Sequence, residues 1–350
     1  MIAFRLDANA HVATGHMYRC IAIAKECRKK GYDCMFFLAE DECTDILDKA
    51  GFDYCVLNLK WDDWDYGIAT VKKAVAEHQI DCLVVDSYRV TEKFFAELYQ
   101  VVTVFYLDDI CKYKYDLSAV LHYSEWSDER ILQDVYSDTK VKVYTGMEYM
   151  PLREGFCHAK EAGNKKYQFL ITTGGSDPFH MTLRVLQRIL MERELSNAAI
   201  CAVLGKMNTD KEEIYRLCKE WKNITLLQNI SNMDEIMSQS RFAVTAGGTT
   251  VYELMASGVP FICFGFSEDQ CYFGERLEAH GNAFYAGDTR EDADAVGNNI
   301  IAGLKQFIAM NKDEVEAQIR MNCKLIDGHG AGRVADIIID LCEEKDYEKS

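Results

Sequence analysis

The residues best placed to do chemistry fall in short stretches where a strand-like run gives way to a helix-like one. In Thr14-Gly15-His16-Met17-Tyr18-Arg19, Gly15 lets the backbone turn and His16 sits at or just before a helix start. The positive end of a helix dipole favours the neutral, proton-accepting ring there, which suits a general base. A histidine that merely caps or packs fits the same placement. Residues 243–260 read AVTAGGTTVYELMASGVP: an apolar run, the turn Gly247-Gly248-Thr249-Thr250, then a helix closed by Gly258 and Pro260. N–H groups left open at such a turn, together with the dipole, make a seat for a phosphate. Glu253 falls in the first turn of that helix, where a carboxylate can accept hydrogen bonds from sugar hydroxyls. A plain strand–helix turn favours the same small residues.

Thr173-Gly174-Gly175-Ser176-Asp177-Pro178 repeats the phosphate-seat logic, with Asp177 expected as cap and Pro178 as first helical residue. A well-capped helix would explain Asp177 and Pro178 but not the paired glycines. In Ser267-Glu268-Asp269-Gln270, short polar side chains can hold sugar hydroxyls or amides, or Asp269 can simply cap a helix. Asp86-Ser87-Tyr88 and Asp108-Asp109 end two apolar runs, and Tyr88 offers a ring and a hydroxyl. Asp63-Trp64-Asp65 matches a metal-binding Asp-x-Asp but lies in an aromatic loop, so it reads as chance and no metal site is expected. Neither glycine turn gives Gly-x-Gly-x-x-Gly, which argues against NAD, and no cofactor is expected.

The elements that must carry these stretches alternate. Apolar runs at 2–6, 34–38, 54–57, 82–85 and 101–107 are separated by helix-like segments at 17–30, 43–50, 67–78 and 91–100, with weaker strands at 119–122 and 141–144. After GMEYMPLREGFCHAKEAG the alternation restarts with a strand at 169–172 and a helix at 178–191. That rhythm means parallel sheets with crossover helices. The expected fold class is α/β, with two doubly wound Rossmann-like domains facing a cleft. Boundaries are expected at 1–150, a linker at 151–165, a second domain at 166–330, and a terminal helix and tail at 331–350, with fraying expected over Glu343–Ser350. Ligands of open parallel sheets lie at the strands' carboxyl ends, which is where these motifs fall.

A chain of 350 residues has length for two cores. Its net charge of −17 argues against nucleic-acid or membrane-surface partners, so an anionic ligand must be held by local donors. No apolar run nears the roughly 20 residues that span a bilayer, and the start lacks a signal-peptide pattern. The 14 cysteines include no Cys-x-x-Cys pair. They read as small buried hydrophobes of a reduced, cytoplasmic protein.

TGHMYR, GMEYMPLREGF, TTGGSDP, AGGTTVYELMASGVP and a following EDQ occur in that order over roughly residues 1–280. In this the chain resembles the UDP-sugar hydrolases of pseudaminic acid biosynthesis (the PseG type) and their spore-coat polysaccharide relatives. The resemblance implies the glycosyltransferase-B (GT-B) architecture. It also implies hydrolysis of a UDP-linked 2,4-diacetamido-2,4,6-trideoxy sugar to sugar and UDP, without a metal. His16 matches the family's presumed base. The resemblance implies that N–H groups near Gly247–Thr250 hold the diphosphate and Glu253 the ribose, that Arg153 adds charge, and that Tyr88, Asp269 and Gln270 touch the sugar. Gly15, Arg19, Gly174, Gly175 and Ser176 complete the expected binding set. Tyr18 stands where the family often has a smaller residue. A glycosyltransferase and a non-catalytic nucleotide-sugar binding protein are the competing readings, and the oligomeric state is left open.

Overall fold

A computed structural model of the chain describes residues 1–9, 14–124, 126, 129–156, 165–175, 177–228, 230 and 232–349, with side chains to 344. The chain divides into two compact units, 1–154 with 328–350, and 155–327.

In the first unit, strands and helices alternate: β1 (Ile2–Leu6), α1 (Gly15–Lys29), β2 (Cys34–Leu38), α2 (Thr44–Ala50), β3 (Asp53–Val56), α3 (Trp64–Glu77), β4 (Cys82–Asp86), α4 (Glu92–Tyr99), β5 (Thr103–Leu107), β6 (Ala119–His122), α5 (Ile131–Val135) and β7 (Lys142–Thr145). The sheet runs β3-β2-β1-β4-β5-β6-β7, all parallel. Crossover helices cover both faces, so the central strands carry buried residues throughout, without polar alternation. One face packs Phe4, Phe36 and Phe105 against α1, and the other packs Phe37, Val85 and Tyr106 against α3 and α4.

The second unit has β8 (Tyr167–Thr172), α6 (Met181–Met191), β9 (Ile200–Leu204), α7 (Lys211–Glu220), β10 (Ile224–Gln228), α8 (Met233–Ser238), β11 (Ser240–Ala246), α9 (Thr250–Ala256), β12 (Phe261–Gly265), α10 (Glu268–Ala279), β13 (Phe284–Asp288), α11 (Thr289–Ala309) and α12 (Lys312–Leu325). Its parallel sheet has the order β10-β9-β8-β11-β12-β13. The last helix, α13 (Gly330–Lys349), belongs to the first unit. Val334, Ala335, Ile338 and Leu341 are buried with Met17, Cys20, Ala24 and Cys27 of α1.

Each sheet has one place where strand order reverses, between β1 and β4 and between β8 and β11. Loops leaving the carboxyl ends there diverge and leave a crevice. The two motifs with most chemical content, around His16 and around Gly247, both open at these reversals.

Several local expectations are corrected. Asp63-Trp64-Asp65 is a helix start and not a loop, because the Asp63 side chain accepts from Tyr66 N at 3.1 Å and caps α3. α6 begins at Met181, three residues later than expected, so Pro178 precedes the helix. The expected tail is helical, since α13 runs to Lys349.

Candidate active site

α1 starts with Thr14 at its N-cap, without a side-chain capping bond and without an acidic residue in its first turn. The backbone N–H groups of Gly15, His16 and Met17 have no acceptor among the described residues. Gly15 does not make the turn: it is the first helical residue, with no positive φ, and a Cβ there would touch nothing within 4 Å among the described residues.

His16 is 7% exposed. Its Nδ1 lies 2.6 Å from Oδ1 of Asp86, the last residue of β4. Its ring meets Tyr88 edge-on, with centroids 4.8 Å apart. Tyr88 in turn donates from its hydroxyl to Asp109 Oδ2 at 3.2 Å. One turn after His16, Arg19 is buried in the same cluster. Its Nε donates to Asp86 Oδ2 at 2.6 Å, its Nη1 to the Tyr123 hydroxyl, and its Nη2 to Asp86 Oδ1 and to Asp109 Oδ2 at 2.8 Å. All three guanidinium nitrogens therefore bond within the protein. Arg19, expected to bind substrate, is held by Asp86, Asp109 and Tyr123.

The charges follow from this packing. Burial alone would push the Asp86 carboxyl up, but the Arg19 guanidinium and His16 outweigh it and hold it well below the usual carboxylate range. Burial pushes the Cys20 thiol up, and Asp86 adds to the shift. His16, Asp86 and Asp109 place ligand-type atoms within 4.8 Å of one another, a spacing that could hold a metal ion. Arg19 Nη2 already supplies the cation there, 3.0 Å from His16 Nδ1 and bonded to both carboxylates. A metal would have to displace that buried guanidinium. Arg153, also in this unit, lies with Cζ 5.7 Å over the Tyr18 ring.

In the second unit, Gly247 N donates to Phe264 O at 2.8 Å, continuing the β11–β12 pairing. A Cβ at Gly247 would lie 3.0 Å from Gln270 O, which explains the glycine. The next three N–H groups, of Gly248, Thr249 and Thr250, have no acceptor among the described residues. Glu253 is buried on α9. Gln270 Oε1 accepts from Phe266 N at 3.3 Å, while Asp269 is exposed in the first turn of α10, where Ser267 and not Asp269 takes the cap position.

The other glycine turn has a different end. Gly174 takes φ +86°, a conformation that favours glycine, and Asp177 takes φ +56°. The Asp177 carboxylate is buried and accepts from Met181 N at 2.8 Å and Thr182 N at 2.9 Å. It thus fills the start of α6 from four residues away, and the cap position itself is His180. The phosphate-seat expectation fails for these α6 donors, because a carboxylate already holds them. Ser176 lies outside the described residues.

The structure thus gathers Gly15, His16, Arg19 and Tyr88 in one unit, and Gly247–Thr250, Glu253, Asp269 and Gln270 around α9 and α10 in the other. Asp86 and Asp109 were noticed only as strand ends. An acidic residue closing an apolar strand at the order reversal was the available signal. Tyr123 gave none.

Two parallel-sheet Rossmann-like domains define the GT-B fold class. The fold matches that of Acinetobacter baumannii MurG, with a TM-score of 0.69 at 12% identity over 97% of this chain and 99% of that one. A UDP-GlcNAc 2-epimerase from Neisseria meningitidis, solved bound to UDP-GlcNAc, matches with a TM-score of 0.61 at 14% identity over 98% and 100%. Residues 169–325 match the glycosyltransferase family 28 C-terminal domain. Within that class the chain is similar to the PseG and SpsG type, as its motifs suggested. It is 24% identical to the UDP-2,4-diacetamido-2,4,6-trideoxy-beta-L-altropyranose hydrolase of Campylobacter jejuni, over 75% of this chain and 91% of that protein. It is 24% identical to the spore coat polysaccharide biosynthesis protein SpsG of Bacillus subtilis, over 60% and 62%. An uncharacterised protein of Methanocaldococcus jannaschii is 27% identical over 77% of this chain, which spans 57% of that protein's length.

Proposed function

We propose that the protein is a metal-independent UDP-sugar hydrolase acting on a UDP-linked 2,4-diacetamido-2,4,6-trideoxy sugar, in nonulosonic acid or surface polysaccharide biosynthesis. The observation that carries this reading is His16, an imidazole held by a buried carboxylate at an uncapped helix start. In the proposed reaction the His16 ring takes a proton from water as the water oxygen bonds to the anomeric carbon. The bond from that carbon to the phosphate oxygen breaks, and UDP leaves as an anion that needs no strong acid. The open N–H groups of Gly248, Thr249 and Thr250 are the proposed diphosphate donors, and Glu253 the ribose acceptor. Tyr88, Asp269 and Gln270 are the proposed sugar contacts. Arg153 is assigned the supporting charge, and Gly174 and Gly175 give the sugar-nucleotide room. The Campylobacter relative supports hydrolysis. The match to a glycosyltransferase domain favours a second reading, transfer to an acceptor alcohol.

Release of UDP from candidate UDP-sugars without any acceptor tests the proposal. In oxygen-18 water, label is expected in the sugar, and label in UDP would show attack at phosphorus. His16→Ala is expected to lower release by at least about 10²-fold while UDP still binds. Release that requires an added alcohol would replace hydrolase by transferase.

A further inference from the structure

The hydrogen between His16 and Asp86 has one possible owner. Asp86 is fully buried, and its two oxygens are occupied: Oδ1 by His16 Nδ1 and Arg19 Nη2, Oδ2 by Arg19 Nε and, at 3.4 Å, by the Cys20 thiol. A carboxylate kept ionised by a forked guanidinium can only accept. At 2.6 Å, a bare Nδ1 lone pair facing a carboxylate oxygen would be repelled, so Nδ1 must carry the proton. Arg19 Nη2, 3.0 Å from Nδ1, then has no lone pair to bond there and is directed at Asp86 and Asp109. Nε2 is left as the ring's lone-pair nitrogen. It has no partner among the described residues and is not among the buried unpaired atoms.

We propose that Asp86 is the positioning residue for His16: backed by Arg19 as a fixed counter-charge, it selects the Nδ1–H tautomer and aims Nε2 outward as the proton acceptor. This rests on the hydrolase reading for its catalytic meaning, but not for its structural content. Each partner has a distinct part. Asp86 fixes the proton on Nδ1 and the direction of the ring, and Tyr88 holds the ring edge. Arg19 keeps Asp86 ionised and in place, and Asp109 and Tyr123 keep Arg19 from turning out to solvent. As Nε2 gains its proton, the new imidazolium lies against a carboxylate already oriented to receive its charge, so no group has to move. Arg19 acts through Asp86 and does not touch the substrate, which accounts for a buried arginine one helical turn from the base.

The test is the nitrogen-15 spectrum of the full chain with labelled histidine, the His16 signals being assigned by their loss in His16→Gln. The expected result is a protonated Nδ1 and a bare Nε2. In Asp86→Asn the side-chain amide can donate to Nδ1, so the proton is expected to move to Nε2. Then kcat falls about 10²–10⁴-fold, while KM and UDP affinity stay within about twofold. Arg19→Lys, which cannot reproduce the fork, is expected to give a mixture of tautomers and an intermediate kcat. Wild-type His16 protonated on Nε2, alone or together with Nδ1, overturns the proposal. So does an Asp86→Asn protein with unchanged tautomer and kcat. Should that variant fail to fold, the wild-type spectrum still decides. Because the spectrum needs no turnover, a protein that hydrolyses no UDP-sugar would sink the hydrolase reading while leaving the positioning role to stand or fall separately.

Discussion

At the scale of single residues, Asp86 is also a stability element with a defined pH signature. Its carboxyl is held below its unfolded value of about 4, so on acidification the unfolded chain takes the proton first. The stabilisation is therefore complete above about pH 5, shrinks below about pH 4, and vanishes only when the folded carboxyl itself protonates. Urea midpoints measured from pH 3.5 to 7 should fall more steeply towards acid for the wild type than for Asp86→Asn, since all other carboxylates are common to both. Equal slopes would remove the argument. At neutral pH, Asp86→Ala leaves Arg19 buried with fewer partners and should cost about 3–5 kcal/mol. The residue scale also shows where sequence reading stops. His16 was legible because its glycine and helix start are local. The Arg19–Asp86 pair was not, because its members are 67 residues apart and meet only when β1 and β4 pair. The sequence expects Arg19 to bind substrate and Asp86 only to end an apolar run, and folding turns them towards each other.

At the scale of elements, the two loops beside β8 and β9 are fitted together through Gly205. A Cβ there would overlap the carbonyl oxygens of Gly174 and Gly175, which are main chain and cannot swing aside. Met207 N also bonds Gly175 O at 3.0 Å, tying the loops at a second point. Gly205→Ala should lower stability by about 1–3 kcal/mol through a reduced urea midpoint at unchanged slope. An unchanged midpoint would mean that the loops separate freely. Most elements were readable because strands covered on both faces are continuous apolar runs, and the crossover helices between them carry clear apolar spacing. β13 was missed for a physical reason. Its sequence FYAGD is half-exposed at the sheet edge, contains Gly287 at φ +116°, and pairs with β12 through a register shift. α5, at five residues, is too short for a periodic signal. The start of α6 was misplaced because Asp177 reaches its N–H groups from four residues away, whereas cap rules look one residue back.

At the scale of the whole molecule, the units are not equally separable from the chain. Residues 155–327 are one continuous segment with its own core, including Phe169, Ile189, Ile200, Phe242, Ile262 and Leu304. The first unit is completed only by α13, more than 170 residues further along the chain than β7. Without α13, the buried faces of Met17, Cys20, Ala24 and Cys27 lose Val334, Ile338 and Leu341. Each fully buried aliphatic side chain of that size is worth about 1.5–3 kcal/mol, and a domain's whole stability is only about 5–15 kcal/mol. The segment 155–327 should therefore show a cooperative thermal transition by circular dichroism when expressed alone. The segment 1–154 should instead aggregate or melt without cooperativity. Joining 328–350 to it through a flexible glycine–serine linker should restore a cooperative melt, and Ile338→Ala in that rejoined chain should reduce its stability by about 2–5 kcal/mol. If 1–154 alone melts as sharply and as high as the rejoined chain, α13 is an accessory and the first unit's core is complete without it.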